Sequence, residues 1–212
     1  MIKYCPLCHS TKTQFFFEDK IRSFNKCEEC SLVFALEEHR LDESAEKARY
    51  DLHTNSPDDK GYRKYLMMVL DPVVARVQKD ACGLDFGSGP GPTLSLMFEE
   101  AGYKMKIYDH FYARDEEALK QKYDFITSTE VIEHLYDPKM VMDNLWGMLK
   151  EKGLLTFLTQ VYPDVDAFEK WYYKNDLTHV CFFSLETMHY LEKKWQAKLE
   201  IIGKDLFLFR RV

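Results

Sequence analysis

Four cysteines fall in two identical spacings, Cys5-Pro-Leu-Cys8 and Cys27-Glu-Glu-Cys30, with 18 residues between them. Thiolates so spaced can grip one tetrahedral ion from two sides, and the pattern predicts a four-thiolate zinc site of Cys5, Cys8, Cys27 and Cys30. The bland alternative is four packed thiols that happen to be paired. A second stretch, residues 82–91, reads Cys-Gly-Leu-Asp-Phe-Gly-Ser-Gly-Pro-Gly. Its three glycines, Gly87, Gly89 and Gly91, predict a tight turn between a short buried strand and a helix. Glycine there permits positive φ and lets a ligand approach the backbone without meeting a Cβ, while the helix N-terminus offers unpaired N–H groups. Asp109 stands about 20 residues further on, at the end of the next strand, where a carboxylate can accept both hydroxyls of a ribose. Glu130, Glu133 and His134 follow another strand at its carboxyl end, the side on which parallel sheets bind ligands.

These residues need strands and helices to position them. Residues 82–86, 104–108, 123–129 and 154–159 read as buried strands, with helices after the glycines, at 138–149 and at 186–195, the last capped by Ser184. Residues 199–202 and 206–209, joined through Gly203-Lys204-Asp205, read as a terminal hairpin. Between Asp109 and Tyr123 lie only 13 residues, enough for one helix at 115–122 and too few for a further strand. Upstream, residues 61–79 repeat apolar side chains at the helical period through Tyr65, Met68, Val69, Pro72, Val73 and Val77, with Pro72 expected to kink the helix or begin another. Residues 1–36 form a small unit with strands at 15–17 and 32–34. It is too short to fold on its own core, so the metal should supply much of its stability. The polar stretch 37–60 reads as a linker. The expected division is therefore 1–36, 37–70 for linker and lid helices, and 71–212.

The spacing Gly-x-Gly-x-Gly, where dinucleotide-binding folds carry Gly-x-Gly-x-x-Gly, argues against NAD or FAD. Together with Asp109 and Glu130-Val131-Ile132-Glu133-His134-Leu135, the glycine loop resembles the class I S-adenosylmethionine-dependent methyltransferases, and residues 1–36 resemble a zinc ribbon. The resemblance covers residues 71–212. It implies an α/β, Rossmann-like methyltransferase sheet closed by a C-terminal antiparallel hairpin, here with the third strand missing or vestigial. It further implies S-adenosylmethionine bound by Asp85, Gly87, Gly89, Gly91, Asp109 and Glu130, with Tyr50 and His53 covering it as a lid. His110, Phe111 and Tyr112 would replace the adenine wall that the lost strand usually helps to form. Asp85 could instead order the glycine loop. His134 is expected near the methyl acceptor or as a structural histidine. His179 is the candidate base or acceptor-orienting group, or else a core or capping histidine. The aromatic run Tyr162, Phe168, Trp171, Tyr172 and Tyr173 is either core or the cover of the acceptor pocket.

The chain of 212 residues carries 29 basic and 35 acidic side chains, a net charge of −6. With five basic and four acidic residues in positions 1–36, no basic surface speaks for nucleic acid. No apolar run approaches the length of a membrane span, and the first residues lack the form of a signal peptide. A cytoplasmic protein is expected, whose remaining thiols, Cys82 and Cys181, pack in the core. The leading reading is methyl transfer to a small-molecule acceptor. The alternatives are an RNA or protein methyltransferase that docks its substrate on the ribbon, and a noncatalytic cofactor-binding module.

Overall fold

The computed structural model describes residues 4–52, 56–162 and 164–212. The N-terminal region forms an antiparallel sheet. A hairpin of β1 (Thr13–Glu18) and β2 (Ser23–Cys27) is followed by β3 (Val33–Ala35). Each cysteine pair lies in a tight knuckle of one design. His9 N–H donates to Cys5 O and Ser31 N–H to Cys27 O, and both His9 and Ser31 take a φ of 59°. Two short helices follow, α1 (Glu43–Tyr50), capped by Asp42, and α2 (Lys60–Val74), capped by Asp59. These caps place a carboxylate over the first unpaired N–H groups of each helix.

The remaining elements are β4 (Cys82–Phe86), α3 (Thr93–Glu100), β5 (Lys104–Tyr108), β6 (Tyr123–Thr129), α4 (Pro138–Gly147), β7 (Leu149–Leu158), α5 (Val165–Lys170), β8 (Cys181–Phe182), α6 (Leu185–Trp195), β9 (Ala197–Ile202) and β10 (Leu206–Arg211). Six of these strands make one sheet in the order β5-β4-β6-β7-β10-β9. The pairs β4–β5, β4–β6 and β6–β7 are parallel, whereas β10 runs antiparallel to both β7 and β9. This is the expected Rossmann-like α/β sheet with its terminal hairpin. The third strand is absent, and β5 forms the sheet edge.

Several boundaries differ from the sequence expectation, each for a local reason. The helix expected at 115–122 is only a 3₁₀ turn at Ala118–Lys120. That run offers one buried anchor, Ala118, whose carbonyl accepts from the Tyr123 hydroxyl at 2.7 Å. The helix expected to reach Leu149 stops at Gly147, and buried Leu149 already starts β7. Pro72 neither breaks α2 nor starts another helix. It sits in the last turn, two residues before the end of the helix. The buried face of α2 is Leu66, Val69, Leu70 and Val73, so the helical period holds but Met68 faces outward and Tyr65 turns elsewhere. The sequence boundary between residues 70 and 71 falls inside this helix.

The N-terminal sheet is not a separate appendage. Its fourth strand is β8, which pairs with β3 through Val33–Phe182 and Phe34–Cys181. A continuous buried cluster runs from Leu7 and Phe24 through Phe168 and Phe182 to Ile126 and Phe157 of the large sheet. No helix among the described residues is long and apolar enough to cross a membrane.

Candidate functional site

The parallel strands end at one rim, where the loops after β4, β5 and β6 surround a cavity of about 680 Å³. Its floor begins with the glycine turn. Gly87 has φ +79° and donates its N–H to Tyr108 O at 2.8 Å, and a Cβ there would meet Val131 Cγ2 at 2.3 Å. Gly89 has φ +65° and nothing within 4 Å of where a Cβ would stand, which leaves a bare backbone cradle on the cavity wall. Asp109 fixes this cradle: Oδ2 accepts from Gly89 N at 2.9 Å, while Oδ1 accepts from Phe111 N and Tyr112 N at 2.9 and 3.1 Å. Two buried hydroxyls on the lining, Ser88 Oγ and Thr129 Oγ1, have no hydrogen-bond partner. Buried hydroxyls of this kind are satisfied by a bound water or by a polar ligand.

Helix α1 contributes Glu46 and Tyr50 to the lining. Tyr50 packs its ring at 5.6 Å from Phe111 and 5.3 Å from His134, and its hydroxyl donates to Glu46 Oε1 at 2.9 Å. Tyr112 reaches back from the far rim to Asp51 Oδ1 at 2.7 Å. His53, the second expected lid residue, lies outside the described residues.

Past the strand end, Glu130 takes φ 53°, an unusual conformation for a non-glycine residue that turns its side chain toward two phenols. Tyr65 OH donates to Glu130 Oε1 at 3.0 Å, and the Tyr173 hydroxyl lies between Glu130 Oε2, at 3.1 Å, and Glu133 Oε1. Glu133 is fully buried, and Thr159 Oγ1 donates to its Oε2 at 2.9 Å. Burial first, then the charge of Glu130, pushes the Glu133 carboxyl up to about 8. A single phenolic proton cannot serve both carboxylates, and a protonated Glu133 removes that conflict. Burial likewise raises Glu130 and Tyr173 above their ordinary values.

His134 and His179 stand together at the inner end, with ring centroids 4.6 Å apart. The Nδ1 of His179 donates to Tyr173 O at 2.8 Å, and that of His134 to Thr178 O at 3.2 Å. A carbonyl can only accept, so each imidazole holds a proton on Nδ1. Asp176, also on the lining, accepts from Thr178 N and Thr178 Oγ1, both at Oδ1.

The cavity thus brings together Tyr50, Gly87, Gly89, Asp109, Glu130, His134 and His179, along with His110, Phe111 and Tyr112. It does not bring in Asp85 or Gly91. Asp85 is buried behind the turn, bonded by Ser95 Oγ and Thr127 Oγ1 at 3.1 Å each, and burial raises its carboxyl to about 6. It braces β4 against β6 and α3. The Gly91 carbonyl accepts from Thr93 in the turn into α3. The aromatic run divides: Tyr172 and Tyr173 line the cavity, Phe168 is fully buried in the core, and Tyr162 donates its hydroxyl to Ser31 O at 2.9 Å. Tyr62, Tyr65 and Glu46 line the cavity without any signal in the sequence that marks them for it, and Asp176 joins them three residues before His179. The helical period assigns Tyr65 to the packed face, and one position of rotation separates that face from the cavity.

Away from the cavity, the Sγ atoms of Cys5 and Cys30 are 3.5 Å apart, as are those of Cys8 and Cys27, and all four lie within 4.8 Å of one another. A tetrahedral zinc with Zn–S bonds of about 2.3 Å sets its sulfurs about 3.8 Å apart. The four thiols have the donor set and the approximate spacing that such an ion takes.

Residues 59–197, well over half of the chain, match the family described as methyltransferase domain. The chain belongs to this methyltransferase family. Among curated proteins, it is similar to the ubiquinone biosynthesis O-methyltransferases of Photorhabdus laumondii, 30% identical over 43% of this chain and 38% of that one, and of Shewanella sp. strain ANA-3, 29% identical over 43% and 39%. The chain therefore matches only about two fifths of the length of these relatives. Among solved structures, magnesium protoporphyrin IX methyltransferase from Synechocystis PCC 6803, with bound S-adenosylhomocysteine, aligns with a TM-score of 0.54 at 13% identity, covering 80% of this chain and 94% of that one. An O-methyltransferase family protein from Burkholderia thailandensis aligns with a TM-score of 0.52 at 13% identity over 78% and 62%. At such identities the likeness speaks for the methyltransferase fold alone.

Proposed function

We propose that the chain is an S-adenosylmethionine-dependent methyltransferase acting on a small-molecule acceptor, with a structural zinc at Cys5, Cys8, Cys27 and Cys30. The observation that carries the cofactor reading is the cradle: an open, Cβ-free Gly89 beside two orphaned hydroxyls, Ser88 Oγ and Thr129 Oγ1, under the carboxylate of Asp109. In this reading Gly87 and Gly89 admit the cofactor to the backbone, Asp109 takes the ribose hydroxyls, and Phe111 with Tyr50 closes over it. Glu130, with its two phenol partners, faces the amino-acid end. The cofactor supplies a methyl group already activated by a sulfonium charge. The protein orients the acceptor and excludes water. His179 Nε2 receives the acceptor's proton, and His134 packs beside it as a second proton-holding group. By this reading residues 1–36 are a metal-bound brace, residues 37–70 carry the lid, and residues 71–212 bind the reactants.

Calorimetry with S-adenosylhomocysteine tests the reading. Asp109→Ala is expected to weaken binding about tenfold or more by loss of charge-assisted hydrogen bonds. Preferential binding of NAD would overturn the assignment.

A further inference from the structure

The ionisable residues of the cavity are distributed in a way that the cofactor alone does not explain. The carboxylates of Glu46, Asp109, Glu130 and Asp176 all line it, whereas no lysine or arginine does among the described residues. A phosphorylated, sulfated or carboxylate acceptor would call for cationic donors. Asp109 and Glu130 have donors on both oxygens, and Glu46 accepts one phenol on Oε1. At Asp176 both hydrogen bonds from Thr178 fall on Oδ1, and Oδ2 takes part in neither. It shares the lining with the two imidazoles, and the phenol rings of Tyr50, Tyr172 and Tyr173 line the same cavity. A carboxylate oxygen among aromatic rings is the chemistry that recognises a cationic nitrogen.

We propose that the methyl acceptor is an amine, bound as its ammonium by Asp176 Oδ2 within this aromatic end of the cavity. The inference rests on the methyltransferase reading of the same cavity and names its substrate class. An ammonium must lose one proton before its nitrogen has a lone pair to share, and this proposal gives that proton to Nε2 of a neutral His179, whose Nδ1–H is held by the Tyr173 carbonyl. The nitrogen is positively charged when it binds, and positively charged again once it has formed its fourth bond. Asp176 favours both states. A phenol acceptor would have to develop negative charge beside Asp176 and Glu130, which those carboxylates oppose.

The test uses the full chain saturated with S-adenosylhomocysteine and three matched probes: 2-phenylethylamine, 2-phenylethanol and 3-phenylpropionate. Calorimetry is expected to rank them amine, alcohol, carboxylate, with about tenfold between the first two. Asp176→Asn keeps an acceptor for Thr178, and it is expected to bring the amine to within about threefold of the alcohol while S-adenosylhomocysteine binds as before. Equal or tighter binding of the alcohol or the carboxylate, no binding of the amine, or an amine preference that survives in Asp176→Asn would each overturn the proposal. Should the substitution unfold the chain, the ranking on the unaltered protein still decides. Failure to bind S-adenosylhomocysteine is a separate result and would count against the cofactor reading instead.

Discussion

Glu133 is a carboxyl with no exposure to water, and its acidity links the site to the stability of the chain. Its folded value, about 8, lies above the ordinary 4.5. Below 4.5 both folded and unfolded chains hold the proton, and nothing is lost. Between 4.5 and about 8 the unfolded chain ionises while the folded one does not, so stability declines as pH rises through this window. Asp85, raised to about 6, adds a decline of the same sign at lower pH. Denaturant titrations from pH 5 to 8 are expected to show falling unfolding free energy. Glu133→Gln should flatten the slope, a tenfold change in the acidity of one carboxyl being worth about 1.4 kcal/mol. An unchanged slope in the variant would contradict the protonated state of Glu133. A second residue-scale outcome concerns Gly87: alanine would place its Cβ 2.3 Å from Val131 Cγ2 in a left-handed conformation. Gly87→Ala is expected to cost about 2 kcal/mol or more in thermal or chemical unfolding. At this scale the sequence is most legible where a residue type has few uses. Gly87, Gly89, Asp109 and Glu130 line the cavity as their positions suggest. Asp85 and Tyr65 depart from expectation because a strand-end carboxylate and a helical phenol can face either way, and only packing decides.

Among the elements, β8 has the largest effect for its size. Two residues, Cys181 and Phe182, pair with β3, and Ala35 N–H donates to Val180 O at 2.9 Å just before them. The turn between β1 and β2 then supplies Arg22, which is 2% exposed and donates through Nη1 to His179 O at 2.8 Å and through Nη2 to Lys174 O. Asp19 of the same turn pairs with Lys174 at 3.2 Å. The segment carrying Tyr173 and His179 is therefore held from the N-terminal sheet. Arg22→Met is expected to destabilise the chain by about 2–4 kcal/mol by leaving two buried carbonyls without donors. It should also shift the His179 imidazole resonances, while S-adenosylhomocysteine affinity stays within a few-fold. Wild-type His179 spectra in that variant would refute the coupling. None of this is readable from sequence. A two-residue strand has no periodicity, and its partner lies almost 150 residues earlier, whereas the long strands of the large sheet announce themselves by continuous apolar runs.

Taken whole, the molecule joins its two sheets through one buried cluster, and that bears on what metal removal would do. If the four thiolates hold zinc, a chelator should release one ion per chain. The loss should lower the unfolding midpoint of the entire chain in a single transition, because β8 belongs to the N-terminal sheet yet lies between His179 and α6. A large sheet that kept its midpoint after chelation would separate the two units. The order of the large sheet has a further consequence, for solubility. Among the described residues no strand pairs with the outer side of β5, and its Lys104 and Lys106 are both exposed. Lysines on such a margin repel a second copy that would otherwise zip onto it. Replacing both by isoleucine should leave the monomer folded but let chains associate margin to margin, read as concentration-dependent oligomers in sedimentation velocity. On this account, two charges on β5 oppose edge-to-edge association where a strand partner is missing.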